Sequence, residues 1–188
     1  MFFFAACHTK HNIIKIKGSK QKFSSIQQAV DSAKNGSTLI INPGKYEISE
    51  QLWIVKDSFT VKGKGKVEIL CTDMKWNVIW IGGNHITIKK IYARHIKPEF
   101  YAECMGSVIY VDMGENTHIE NCDLNGCGRV GVNISGGLNI ILKNNYIHDN
   151  TECAVRILGN NYYSATDEFP DVVRFINNIF NNNGEGRE

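Results

Sequence analysis

The 188-residue sequence is poor in the residues from which helical proteins are built. It holds 7 Leu and 8 Ala, against 24 Ile, 20 Asn and 17 Gly. Leu and Ala favour helices, whereas Ile suits pleated surfaces and Asn and Gly turn corners. A helix bundle is excluded. Proline is scarce as well: only Pro43, Pro98 and Pro170 occur, so Asn and Gly must make the turns. No apolar run reaches the roughly 20 residues that a membrane-spanning helix needs. An excess of one charge is also missing, since 21 Lys+Arg against 19 Asp+Glu leave a net charge of +2. Nothing in that balance points to nucleic acid or to an anionic membrane surface as partner. The six cysteines form no CxxC pair, which argues against a zinc ribbon, and they are too few for a disulfide scaffold. Cys122, Cys127 and Cys153 read as small buried hydrophobes.

One segment has helical periodicity. Ile26, Ala29, Val30 and Ala33 fall at i, i+3, i+4 and i+7, and Ser24 or Ser25 can cap the start with Gln27 or Gln28 three residues on. Asn35-Gly36 stops the run, so a helix is expected over Ser24–Lys34. After it the period becomes that of strands. Short apolar runs (Thr38 to Ile41, Leu52 to Val55, Phe59 to Val61, Val67 to Leu70) are divided by Gly, Asn, Lys and Asp. From residue 83 these runs repeat. Anchoring on Ile88, Ile119, Leu142 and Phe175 gives steps of 31, 23 and 33 residues. A unit of about two dozen residues with insertions near Lys97–Gly106 and Tyr162–Asp171 is a solenoid signature, and stacked parallel strands are its natural solution.

The stretch from Ser25-Ile26-Gln27-Gln28-Ala29-Val30 to Asn42-Pro43-Gly44-Lys45-Tyr46 resembles the N-terminal cap and first turn of pectate-lyase-like right-handed parallel β-helices. The later pieces Ile119 to Leu124, Leu142 to Ile147 and Phe175 to Phe180 are similar to the coil repeat of that superfamily, so the resemblance covers roughly residues 23–183. It implies an all-β solenoid, a right-handed parallel β-helix with an N-terminal capping helix, occupying residues 23–188. It implies no single activity, because the superfamily hosts lyases, hydrolases, epimerases and inert scaffolds.

Parity then selects an outer face. With Ile79/Ile81, Ile109/Val111, Val132/Ile134 and Val155/Ile157 inward, Trp80, Tyr110, Asn133 and Arg156 stack in one outward column. Gly82, Asp112, Ser135 and Leu158 form the next. Aromatic rings cover the apolar faces of sugars, while amides and guanidiniums bond hydroxyls and carboxylates. Trp80, Tyr110, Asn133, Arg156 and Arg129 are therefore candidate polysaccharide contacts. A mixed solvated sheet face is the bland alternative. Glycoside hydrolysis needs two carboxylates, and the ladder supplies Asp112 alone. Chemistry on a uronate, by a lyase-like or epimerase-like route, needs a base and a cation. Tyr110, Asp112, Arg156 and His148 are the candidates for those roles. His148 and Asp149 with Glu152 also read as a weak cation site, although the simpler reading is that they make a turn; calcium is allowed for as a cofactor, with no clear site. Asn121, Asn144 and Asn177 recur in one column and read as an Asn ladder holding a turn.

Two further expectations concern the ends. Phe2-Phe3-Phe4-Ala5-Ala6 before Cys7 resembles a truncated lipoprotein signal with Cys7 as the lipidated residue, so either the true start lies upstream or the apolar start is chance; within residues 1–22, His8 to Lys22 read as a tether or a first irregular strand. A membrane contact would come only through that anchor. Phe175, Ile176, Ile179 and Phe180 read as an ordinary coil with nothing after it to cover them, which leaves a longer chain or an oligomer to do so. The functional expectation is an extracytoplasmic, secreted or surface lipoprotein β-helix that binds or processes a polysaccharide, by lyase-like or epimerase-like chemistry on an acidic glycan if it is catalytic. A non-catalytic structural or adhesive β-helix is the alternative.

Overall fold

The computed structural model describes residues 13–16 (as backbone), 25–96, 103–126, 129–158 and 173–184. Cys7 and most of both expected insertions lie outside these residues. The described residues form three parallel sheets of seven, six and five strands, through which the chain passes repeatedly in the same order. The coil that starts at Thr38–Ile41 in the first sheet continues through Gly44–Ile48 in the second and Leu52–Ile54 in the third. Its successors stack above it, ending with Val173–Ile176 and Ile179–Asn181. The fold is a right-handed parallel β-helix.

Alternation makes the core. Leu39, Val61, Ile88, Ile119 and Leu142 occupy one register column of the first sheet, and all are fully buried. Ile79, Ile81, Ile109, Val111, Val132 and Ile134 do the same from the third sheet, as parity requires. Each such side chain contributes about 1.5–3 kcal/mol by leaving water. The column fails only at its upper end, where Ile157 is exposed.

The helix spans Ile26–Ser32, shorter than expected, with the Ser25 hydroxyl accepting from the Gln28 N–H at 3.1 Å. It buries Ile26, Ala29 and Val30 over the first coil. It also satisfies a sheet edge: Gln27 accepts from the Trp53 N–H at 2.8 Å and donates to the Trp53 carbonyl at 3.2 Å, standing in for the missing strand. The solenoid begins before residue 23, because Ile13–Ile16 pairs in parallel with Thr38–Ile41.

The corners account for the asparagines. Lys90, Asn121, Asn144 and Asn177 each have φ between 51° and 57°, one per coil, where the first sheet turns into the second. Asn tolerates this left-handed conformation better than other side chains. The ladder, however, is one residue later than expected. Asn145 accepts from the Cys122 N–H at 2.9 Å and donates to the Ile119 carbonyl at 2.8 Å, while Asn178 accepts from the Asn145 amide and donates to the Leu142 carbonyl. In each Asn-Asn pair the first residue makes the turn and points out, so only the second reaches the interior. A second ladder, Asn150 under Asn183, holds the next corner in the same way.

At the far end Phe175, Ile176, Ile179 and Phe180 are exposed among the described residues, with the two phenyl rings edge to face at 6.1 Å.

Candidate functional site

The third sheet carries one outward column in register: Trp53 beside Trp80, Trp80 beside Tyr110, Tyr110 beside Asn133, and Asn133 beside Arg156. Four steps at the ~4.8 Å strand spacing make a strip about 19 Å long. Trp53 extends the expected column by one coil. Its signal was visible in the repeat of Leu52-Trp53-Ile54 as Ile79-Trp80-Ile81, one coil before the stretch from which the repeat was counted.

Tryptophan dominates the lower end. Trp53 and Trp80 rings lie 4.9 Å apart and tilted, and Trp76 meets Trp53 edge-on at 6.4 Å. Trp76 comes from a loop, which no strand period reveals. Its backbone is fixed from inside: buried His95 holds the Trp76 carbonyl through Nε2 at 2.7 Å. That contact requires the proton on Nε2, and burial lowers the pKa of the imidazole. The Trp80 indole folds over Gly82, where a Cβ would stand 2.2 Å from the ring. Gly82 thus belongs to the platform rather than being a gap in the neighbouring column.

The upper end is polar. Asp112 accepts from the Ser135 hydroxyl at 3.0 Å, joining two members of the adjacent column. Asn133 has its Oδ1 buried without a hydrogen-bond partner. Arg156 donates to Glu152, and Arg129 donates to the other oxygen of the same carboxylate at 2.5 Å. These contacts, with Arg156 first, hold the Glu152 carboxyl below its ordinary pKa. Two guanidiniums on one carboxylate leave a local charge of +1.

His148 does not belong here. It lies on the strand Tyr146–His148 of the second sheet, with Nε2 3.0 Å from Asp123 Oδ1 and Nδ1 2.5 Å from Asp149 Oδ2. Spacing along a coil could not say on which side of the corner it falls. Glu152 likewise stays with the arginines instead of joining His148 and Asp149 around a cation. Among the described residues no group of three or more His, Cys, Asp or Glu is arranged to hold a metal ion. His85 and Asn116 make corners at positive φ, and His118 faces Glu120 on the first sheet. Cys104 is disulfide-bonded, which the cysteine count did not anticipate, whereas Cys71, Cys122 and Cys153 are not in disulfides.

The family profile described as a right handed beta helix region matches residues 45–187, and the chain belongs to that family. Among solved structures it is similar to a pectin methylesterase in complex with a hexasaccharide, at 16% identity and a TM-score of 0.56, over 94% of this chain and 68% of that one. A pectate lyase matches at 14% identity and a TM-score of 0.59, over 93% of this chain and 54% of the other. A rhamnogalacturonan lyase matches at 13% and 0.53, over 92% and 51%. The chain therefore shares its fold with polysaccharide-processing enzymes and spans little more than half the length of the two lyases.

Proposed function

We propose that the protein binds an acidic polysaccharide along the outer face of the third sheet, outside the cytoplasm. The observation that carries this reading is the continuous run Trp53, Trp80, Tyr110, Asn133 and Arg156. Rings at one end suit the apolar faces of sugars, and the Asn133 amide followed by the Arg156 guanidinium suits hydroxyls and a carboxylate. The pectin methylesterase with its bound hexasaccharide and the pectate lyase support the class of ligand. The Cys104 disulfide supports an oxidising compartment.

Binding without bond cleavage is favoured over catalysis. Arg156 and Arg129 are both engaged by Glu152, and Asp112 stands as a single carboxylate in its column, bonded to Ser135. The two carboxylates at this end are committed, Glu152 to the arginines and Asp112 to Ser135, and no unengaged base–cation pair is assembled on this strip.

The test is affinity electrophoresis on polygalacturonate, a neutral glucan and a panel of other glycans, with ultraviolet absorbance of the polymer solution followed in parallel. The reading expects retardation by the acidic polymer and no new absorbance, with retardation lost in Tyr110→Ala/Arg156→Ala at unchanged circular dichroism. An unsaturated, absorbing product would replace it by a uronate lyase. Retained binding in the double variant would move the site, and no binding to any glycan would leave a structural β-helix.

A further inference from the structure

The second sheet offers a different surface. Its outward column Glu68, Tyr92, Asp123, Tyr146 runs in register beside the corner formed by Gly65-Lys66, Lys90, Asn121 and Asn144. Between column and corner lies a shallow open depression of about 310 Å³ whose lining includes Lys66, Lys90, Tyr92, Asp123 and Tyr146. This size is at the lower end of ligand clefts. From this arrangement we infer that the depression is a second, separate site for an acidic saccharide.

Three features support that assignment. First, the walls are set before any ligand arrives. Tyr146 is stacked on the His148 ring with centroids 3.8 Å apart, the Arg94 guanidinium lies 5.8 Å from the Tyr92 ring centroid, and Asn125 links the Tyr92 hydroxyl to Asp123 and His148. Tyr92 and Tyr146 are two coils apart, about 9.6 Å from twice the strand spacing, which suits successive rings of a sugar chain. Secondly, the nearby carboxylates are engaged. Asp123 is bonded to His148 and Asn125, and Glu68 is paired with Arg94 at 2.7 Å. Thirdly, Lys66 and Lys90 are exposed, and among the described residues neither ammonium is in an ion pair. Aromatic rings with two unengaged cations one coil apart match a sugar that bears a carboxylate. A bare anion would not use the tyrosines, and a neutral sugar would not use the lysines.

The experiment compares retardation on polygalacturonate and on its fully methyl-esterified form, in two backgrounds: the intact chain and Trp80→Ala/Tyr110→Ala. Lys66→Gln/Lys90→Gln should weaken binding to the acidic polymer about tenfold in both, the worth of two partly screened ion pairs. The same two charges removed elsewhere, as Lys34→Gln/Lys62→Gln, should change it less than twofold, and the esterified polymer should not respond to the depression variants. Because the second background lacks the third-sheet strip, failure of that strip and failure of this site are told apart. Equal effects of the two lysine pairs, or none from Lys66→Gln/Lys90→Gln in either background, would overturn the assignment.

Discussion

Replacing Asn145 by Ala strips the interior of one corner of its hydrogen bonds. The Cys122 N–H and the Ile119 carbonyl, held at 2.9 and 2.8 Å, lose their partner, and Asn178 loses one of its donors. Asn145 is 1% exposed, so water does not replace what is removed. An orphaned buried backbone group costs about 1–3 kcal/mol. Two of them, with the weakened link to Asn178, give roughly 3–4 kcal/mol, a large part of the 5–15 kcal/mol typical of a domain. The neighbour behaves differently. Asn144 is exposed at φ 54° and its side chain makes one long bond, to Asn121 Oδ1 at 3.5 Å, so Asn144→Ala costs mainly the strain of a left-handed alanine, about 1 kcal/mol, and Asn144→Gly costs less. In urea, with a slope of about 2 kcal/mol per molar, the midpoint should fall by roughly 1.5–2 M for Asn145→Ala and by roughly 0.5 M for Asn144→Ala. Circular dichroism reads both. Equal shifts, or a larger one at Asn144, would refute the assignment of the ladder to the second asparagine of each pair.

Other perturbations act on the proposed strip and on the thiols. Glu152→Gln should free Arg156 and Arg129 and tighten acidic-glycan binding about fivefold, roughly 1 kcal/mol, by calorimetry; weaker binding would contradict the geometry. The low pKa of Glu152 means its ion pairs stabilise the fold above the ordinary carboxyl range and are lost as pH falls through the lowered value. Glu152→Gln should therefore flatten part of the acid limb of stability, and an unchanged limb would count against it. Gly82→Ala should drive the Trp80 ring off its seat and shift tryptophan emission to the red, whereas an unchanged spectrum would mean the ring does not need that space. Burial pushes the Cys71 thiol up to about 11 and Cys122 up to about 12. Native protein at pH 8 should leave both unlabelled by a thiol reagent until denaturant is added.

The parity of the isoleucines carried most of the architecture, because inward burial leaves strand register no freedom. Trp80, Tyr110, Asn133 and Arg156 followed from that alone. What parity cannot supply is the path of the chain between strands. Trp76 reaches the platform from a loop held by His95, and Glu152 reaches the arginines from the approach to its strand. His148 was placed near Arg156 because one coil contains both; the intervening corner puts them on different sheets. The ladder was displaced by one position because Asn144 and Asn145 are chemically identical, and only the sign of φ separates the residue that turns from the residue that bonds.

Tryptophan emission during titration with oligogalacturonate tests the glycan-binding strip most directly. The chain has 3 Trp, and Trp53, Trp76 and Trp80 form one cluster on the third-sheet face, so no other part of the molecule contributes to the signal. A saturable change in emission is expected with the acidic oligosaccharide, weakened by salt and lost in Tyr110→Ala/Arg156→Ala. Emission that stays constant to millimolar sugar, in protein whose circular dichroism shows it folded, would contradict the glycan-binding strip.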